Sequence, residues 1–207
     1  MQTLILTTEG MSAYGLQTFD VQRRVNHYPT RSAIMGLLGA AKGITRSQHD
    51  KLYSLSQQVN IAVQVQSQGQ KIVDYHTVQN FRSPMGKIQQ GTKPTYREYW
   101  CDTKFNFAIS GDESVIGDIT EHIKCPVFTL FQGRKCCPLT RPLYNKVVAE
   151  DNPATALMEL GNGIVYSDVV ANHQVASTQL RDLTTARAHQ YAIRQVYICG
   201  VLNEFAY

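Results

Sequence analysis

Two helical periodicities, each flanked by strand patterns, constrain this chain more than any other feature. Thr3 to Thr8 (Thr-Leu-Ile-Leu-Thr-Thr) reads as a short buried strand. Behind Pro29-Thr-Arg-Ser32, where Thr30 or Ser32 suits a helix cap, Ile34, Met35, Leu37, Leu38 and Ala41 recur at helical spacing, and Gly43 ends the pattern. The small Gly36, Gly39 and Ala40 predict a helix lying close to a sheet. Val59, Ile61, Val63 and Val65 then alternate with Asn60, Ala62, Gln64 and Gln66, a half-buried strand. Phe105, Phe107 and Ile109 alternate in the same way, Val115, Ile116, Ile119 and Ile123 make a second amphipathic helix, and Val127 to Phe131 predicts a closing strand. The order is βαββαβ, that of a ferredoxin-like, RRM-like α+β domain.

A long excursion interrupts that order. Lys71 to Gln79 and Tyr96 to Trp100 read as extended, and Pro84-Met-Gly-Lys87 and Gly91-Thr-Lys-Pro94 between them supply turn residues. The pattern predicts a protruding hairpin, a thumb inserted at about 71–100. So long a polar, basic insertion carries an ordering entropy that a partner must offset. After Phe131 the periodicity weakens. Asn152-Pro153 opens a short helical run, and Ile164 to Tyr166 and Tyr191 to Val201 read as strands. Residues 1–145 are therefore expected to form the main domain and 146–207 a small C-terminal β extension.

Charge is distributed unevenly. The formal net charge is only +4, but Val21 to Arg46 carries Arg23, Arg24, Arg31, Lys42 and Arg46 without one acid. Lys124 to Val148 does the same with Lys124, Arg134, Lys135, Arg141 and Lys146. Lys71 to Lys104 adds Arg82, Lys87, Lys93 and Arg97 against Asp74, Glu98 and Asp102, and three basic segments in one short chain favour a shared anionic ligand. The five cysteines are odd in number and show no CxxC spacing, which fits free thiols in a reduced cytoplasm. His122 and Cys125 lack a second ligand pair, so neither metal nor cofactor is expected. No charged leader precedes an apolar core, and no apolar run approaches the roughly 20 residues of a membrane span.

The excursion interleaves rings with cations: Tyr75, His76, Phe81, Arg82, Lys87, Lys93, Tyr96, Arg97, Tyr99 and Trp100. Single-stranded nucleic acid is held this way, with cations on phosphates and rings on bases. Strand alternation divides Tyr96, Glu98 and Trp100 from Arg97 and Tyr99, and we expect Trp100 buried and Arg97 facing a ligand. Arg31 and Ser32 at a helix start offer a second phosphate site, and Gly133-Arg-Lys-Cys-Cys-Pro138 followed by Arg141 offers a third. The GxSxG, HExxH and dinucleotide GxGxxG patterns are absent. His27-Tyr28 and Tyr75-His76 leave metal-independent RNA cleavage as the alternative to pure binding.

Several blocks together resemble a known family. Tyr28-Pro-Thr-Arg-Ser-Ala-Ile-Met-Gly-Leu-Leu-Gly-Ala-Ala-Lys-Gly-Ile-Thr-Arg46 is similar to the first helix of the CasD family, subunits of type I-E CRISPR Cascade that hold the 5′ end of the guide RNA. Asp74-Tyr-His-Thr-Val78, Arg97-Glu-Tyr-Trp-Cys-Asp102 and Gly133-Arg-Lys-Cys-Cys-Pro-Leu-Thr-Arg-Pro-Leu143 resemble three further blocks in the same order. The resemblance implies a RAMP-type domain with a thumb. It also implies binding of the crRNA 5′ handle, capping of the CasC backbone filament, docking of the large subunit CasA, and target DNA met only through the assembled complex. Tyr14 departs from the tryptophan that family usually carries there, so the resemblance implies a weaker stacking role at this position. A sister family of type I-C systems cleaves the repeat with a lysine–histidine pair. Here Tyr96-Arg-Glu-Tyr99 occupies that stretch, which favours a subunit without chemistry of its own.

Overall fold

The computed structural model describes residues 1–15, 21–83, 85–188 and 190–200. Pro84 of the expected hairpin turn and Val201 of the expected last strand fall outside them. The chain forms a mixed α/β structure around a mostly antiparallel sheet. In chain order the elements are β1 (Gln2–Ser12), β2 (Gln22–Arg23), α1 (Arg31–Ala41), α2 (His49–Gln57), β3 (Val59–Ser67), β4 (Gln70–Arg82), β5 (Ile88–Gly111), α3 (Glu113–Lys124), β6 (Tyr144–Val148), α4 (Pro153–Met158), β7 (Ile164–Ser167), β8 (Gln174–Thr184) and β9 (Tyr191–Cys199). The strands run β6-β1-β5-β3-β7-β9-β8, with β2 and β4 also pairing to β5. The expected boundary at 145 falls within β6, and β7, β9 and β8 continue the same sheet.

Alternation along the central strands assigns the two faces. Leu4, Leu6, Val59, Ile61, Val63, Phe105, Phe107 and Ile109 point to the main core, where Ile34, Met35 and Leu38 of α1 and Ile116, Ile119 and Ile123 of α3 meet them. Each such side chain buried contributes roughly 1.5–3 kcal/mol. The other face carries Ile5, Ala62 and Ala108, and α4 lies over it through Ala154, Ala156 and Leu157. Small residues on the strands let this one-and-a-half-turn helix approach closely. A buried polar chain crosses the same face. Asn145 donates to Thr7 Oγ1 (3.1 Å), Thr7 Oγ1 to Asn106 Oδ1 (2.9 Å), Asn106 Nδ2 to Gln64 Oε1 (2.8 Å) and Gln64 Nε2 to the carbonyl of Gly161 (2.8 Å).

Two expectations are corrected. Val127 to Phe131 is not a strand: its first amides donate to carbonyls at the end of α1, that of Ala41 (2.9 Å) and that of Ala40 (3.2 Å), which also accepts from the Gly43 amide. The edge position beside β1 goes to β6 instead. Gly36, Gly39 and Ala40 do not bring α1 onto the sheet. Gly36 faces outward, and a Cβ at Gly39 would meet Leu52 Cδ1 of α2 at 2.9 Å. That second helix has no counterpart in the sequence reading, because only Leu55 and Ser56 of its residues are buried and its apolar stripe is too thin to register.

β4 and the first half of β5 form a ribbon that continues past the sheet, Gln70 opposite Cys101 and Arg82 opposite Ile88. Nearly all of β4 is exposed, on both faces of the ribbon. No helix among the described residues is long and apolar enough to cross a membrane.

Candidate nucleic-acid interface

At the base of the ribbon β5 gains a third strand. The amide of Tyr96 donates to the carbonyl of Val21 at 2.8 Å, and β2 pairs in parallel, Gln22 with Tyr96 and Arg23 with Arg97. Residues opposite one another in a parallel pair share a face, so Arg23 and Arg97 project side by side, with Asp74 of β4 on the far side of Arg97. Like charges so placed repel, and one carboxylate faces two guanidinium groups.

A third arginine arrives from the loop after residue 131. Arg134 donates through Nη1 to the carbonyl of Glu98 (3.0 Å) and through Nη2 to the carbonyl of Arg23 (3.1 Å), bridging β5 and β2. Its guanidinium lies 4.8 Å from the centroid of the buried Tyr99 ring. Carbonyl acceptors orient the group without cancelling its charge, so the positive field remains. Lys135 beside it is exposed. The loop approaches this closely only because of Gly133, at φ 85°, where a Cβ would sit 2.2 Å from the carbonyl oxygen of Ala13. Burial pushes the Tyr99 phenol pKa up, helped by the contact of Cys136 Sγ with its hydroxyl at 3.6 Å.

The opposite face of the ribbon base is a set of fasteners. Glu98 Oε2 accepts from the amide of Val25 at 3.1 Å, and Trp100 Nε1 donates to the carbonyl of Asn26 at 3.0 Å. The expected roles of two rings are thereby corrected: Tyr99 is the buried one, and Trp100 is half-buried with its indole N–H anchoring the chain after β2. Arg97 shares the face of Tyr99 because of strand alternation, and is itself half-buried with Nε unpartnered among the described residues.

The structure thus brings together Arg23, Arg97, Arg134 and Lys135, with Arg24 exposed next to them and bonded to Gln22 (3.3 Å). Arg141 joins the same end of the sheet through Glu9, which it shares with Lys104 and whose carboxyl they hold below its ordinary pKa. His76, Arg82, Lys87 and Lys93 lie along the ribbon. His76 Nε2 is 2.5 Å from Asp74 Oδ2, and Lys93 Nζ is 5.7 Å from the Phe81 ring centroid.

The remaining expected contacts are elsewhere. Tyr14 is in the core, edge-on to Phe105 at 6.1 Å, and offers no face to a base. Arg31 is only 4% exposed. Its Nη2 donates to the carbonyls of Ser56 (2.7 Å) and Val59 (2.9 Å), and Nη1 pairs with Asp168. Its amide, which would have cradled a phosphate, donates to Asp182 Oδ2 at 2.6 Å. Arg194 closes this set by reaching Asp168 and Asp182, both at 2.6 Å. Lys42 is paired with Asp118. Ser32 bonds Thr30 Oγ1 (3.2 Å), and Arg46 is exposed beyond α1, lining a groove that also reaches Gly133. The Asp168, Asp182 and Arg194 set escaped the sequence reading, since its members lie more than a hundred residues from Arg31 with the exception of their mutual contacts, and no local pattern marks them.

The inserted ribbon and its flanking loop thus gather Arg23, Arg97 and Arg134 with one facing carboxylate, Asp74. Residues 3–197 match the family described as CRISPR-associated protein (Cas_Cas5), and the chain belongs to that family. It is similar to the CRISPR system Cascade subunit CasD of Escherichia coli (strain K12), 33% identical over an alignment that covers 94% of each chain. Among solved structures it resembles a chain of a CRISPR RNA-guided surveillance complex, with TM-score 0.72 at 20% identity, covering 96% of this chain and 90% of that one. A crystal structure of a Cas protein matches with TM-score 0.70 at 21% identity, covering 98% and 96%.

Proposed function

We propose that this chain is a non-catalytic subunit of a CRISPR Cascade surveillance complex that grips the 5′ handle of the crRNA and caps the CasC filament beside the large subunit CasA. The convergence of Arg23, Arg97 and Arg134, from three distant segments, carries this reading. Three cations with one facing carboxylate suit a sugar–phosphate backbone, and the adjoining ribbon, exposed on both faces, has the length and the basic and aromatic content to close over a strand. The strand order β6-β1-β5-β3 with α1 and α3 on one face supports a ferredoxin-like, RAMP-type centre, with the ribbon as its thumb. Target DNA is met only through the assembled complex.

The test is co-expression with the other Cascade subunits and a repeat–spacer RNA, then sequencing of the RNA retained. Retention of RNA with a scrambled handle as well as with the native one would reject handle recognition. The 2.5 Å contact of His76 with Asp74 on the exposed ribbon favours a second reading, in which the chain cuts repeat RNA. Incubation of repeat RNA with the chain in EDTA separates the two: a defined product that disappears in His76→Ala would establish cleavage.

A further inference from the structure

α1 carries a glycine that folding does not use. Gly36 lies mid-helix and exposed, and a Cβ there would meet nothing within 4 Å. Glycine in that position weakens a helix relative to alanine, and no turn, positive φ or internal close approach at Gly36 offsets the loss. Gly36 lines a groove of about 460 Å³ together with Leu37, Ile44, Leu52, Phe128 and Tyr191. Phe128 and Tyr191 are each 45% exposed at its rim, and neighbouring Val127 is 61% exposed.

Several side-chain polar groups lining the groove are engaged within the chain, and exposed Thr129 and Arg46 are among the described ones that are not. Ser32 Oγ is bonded to Thr30, Thr45 Oγ1 to Ser47 (2.9 Å), and His49 Nε2 to the carbonyl of Thr185 (2.8 Å). No carboxylate lines it, whereas Arg46 does, and exposed Arg187 adjoins its Ala188. We infer that this groove seats an apolar segment of another protein subunit, flanked by carboxylates that meet Arg46 and Arg187, with the partner's backbone lying against α1 at Gly36. The inference rests on the proposed function only in taking that subunit from the same complex.

The experiment uses the assembled, co-expressed complex with a benzophenone analogue of phenylalanine in place of Phe128. Irradiation and peptide mass spectrometry are expected to identify a segment of another subunit with an apolar centre and acidic flanks. In parallel, Gly36→Ala is expected to raise the Tm of the isolated chain by about 2–4 °C. Gly36→Leu is expected to leave the fold intact while weakening retention of the crosslinked subunit by on the order of tenfold or more. Crosslinking to RNA, to a second copy of this chain or to nothing, or undiminished retention in Gly36→Leu, would overturn the inference. An acidic-flanked crosslink in a complex that holds no RNA would uphold the groove and overturn the proposed function. RNA retention without that crosslink would do the reverse.

Discussion

Replacing Arg31 with alanine distinguishes a phosphate ligand from a buried fastener. The side chain joins three elements: the end of α2 through Ser56, the start of β3 through Val59, and the segment after β7 through Asp168. Burial, with Arg194 nearby, pulls its pKa down to about 10, so it remains charged at neutral pH. Removing one partner of a buried ion pair costs about 3–5 kcal/mol. Here the low end applies, because Asp168 keeps Arg194 at 2.6 Å and the Ile61 amide at 3.0 Å. What is lost is the donor to two buried carbonyls and one of the two cations paired with the shared Asp168 carboxylate. A loss of about 3 kcal/mol in a chain of this length lowers Tm by roughly 6–12 °C. Arg31→Lys should lose less, since it restores the charge without the fork that reaches three acceptors. Thermal melts by circular dichroism measure the loss, and RNA titration well below the melting range shows whether the folded fraction still binds. If Arg31→Ala melted like the parent chain and lost RNA affinity, the side chain would be contacting phosphate and the structural reasoning would be wrong.

Arg23→Gln and Arg97→Gln should each weaken RNA binding and reduce the slope of log K against log salt by about 0.7, the single-strand value for one phosphate contact. Neither should lower Tm, because each relieves the side-by-side repulsion; a stability loss without a change in salt slope would show a purely structural role. Native alkylation near neutral pH should label exposed Cys125 and Cys136 and spare Cys199 and Cys137, whose thiol is pushed up to about 12 by burial; labelling of Cys137 by mass spectrometry would show that the loop carrying Arg134 opens. Gln64→Leu should cost about 1–3 kcal/mol in denaturant melts by leaving the buried Asn106 amide without its acceptor; an unchanged midpoint would mean that water takes over this bond.

The strands of the centre, both main helices and the ribbon were legible because each obeys a local rule. Val59 to Val65 alternates and does form β3, and Ile116, Ile119 and Ile123 recur helically and do form α3. Val127 to Phe131 failed because a β-like composition says nothing about which backbone groups are free. The carbonyls at the end of α1 outcompeted the sheet for its amides. The site divided on the same principle. Arg23, Arg97 and Arg134 converge because β2 and the 132–138 loop both attach to β5, a placement that lies in topology and not in any window of residues.

A stretch free of acids in sequence is not a stretch free of acids in space, and this decides which arginines are open to a ligand. Val21 to Arg46 contains no carboxylate, yet Arg31 and Lys42 within it are paired with Asp168 and Asp118, separated from them by 137 and 76 residues. The two pairs lie in and beside the helical layer, where burial makes an unpaired cation costly and so selects for distant acids. Arg23 and Arg24 belong to the same sequence run, but β2 is an exposed two-residue strand, and no comparable penalty recruits an acid to it. Burial therefore separates Arg31, which the fold covers and pairs, from the exposed Arg23 and Arg24 at the ribbon base, with the half-buried Arg97 between the two cases. On this argument, an acid placed on Arg24, as in Gln22→Glu at the position whose Oε1 now accepts from Arg24, should weaken RNA binding while leaving Tm unchanged or raised, and measured binding equal to that of the parent would refute it.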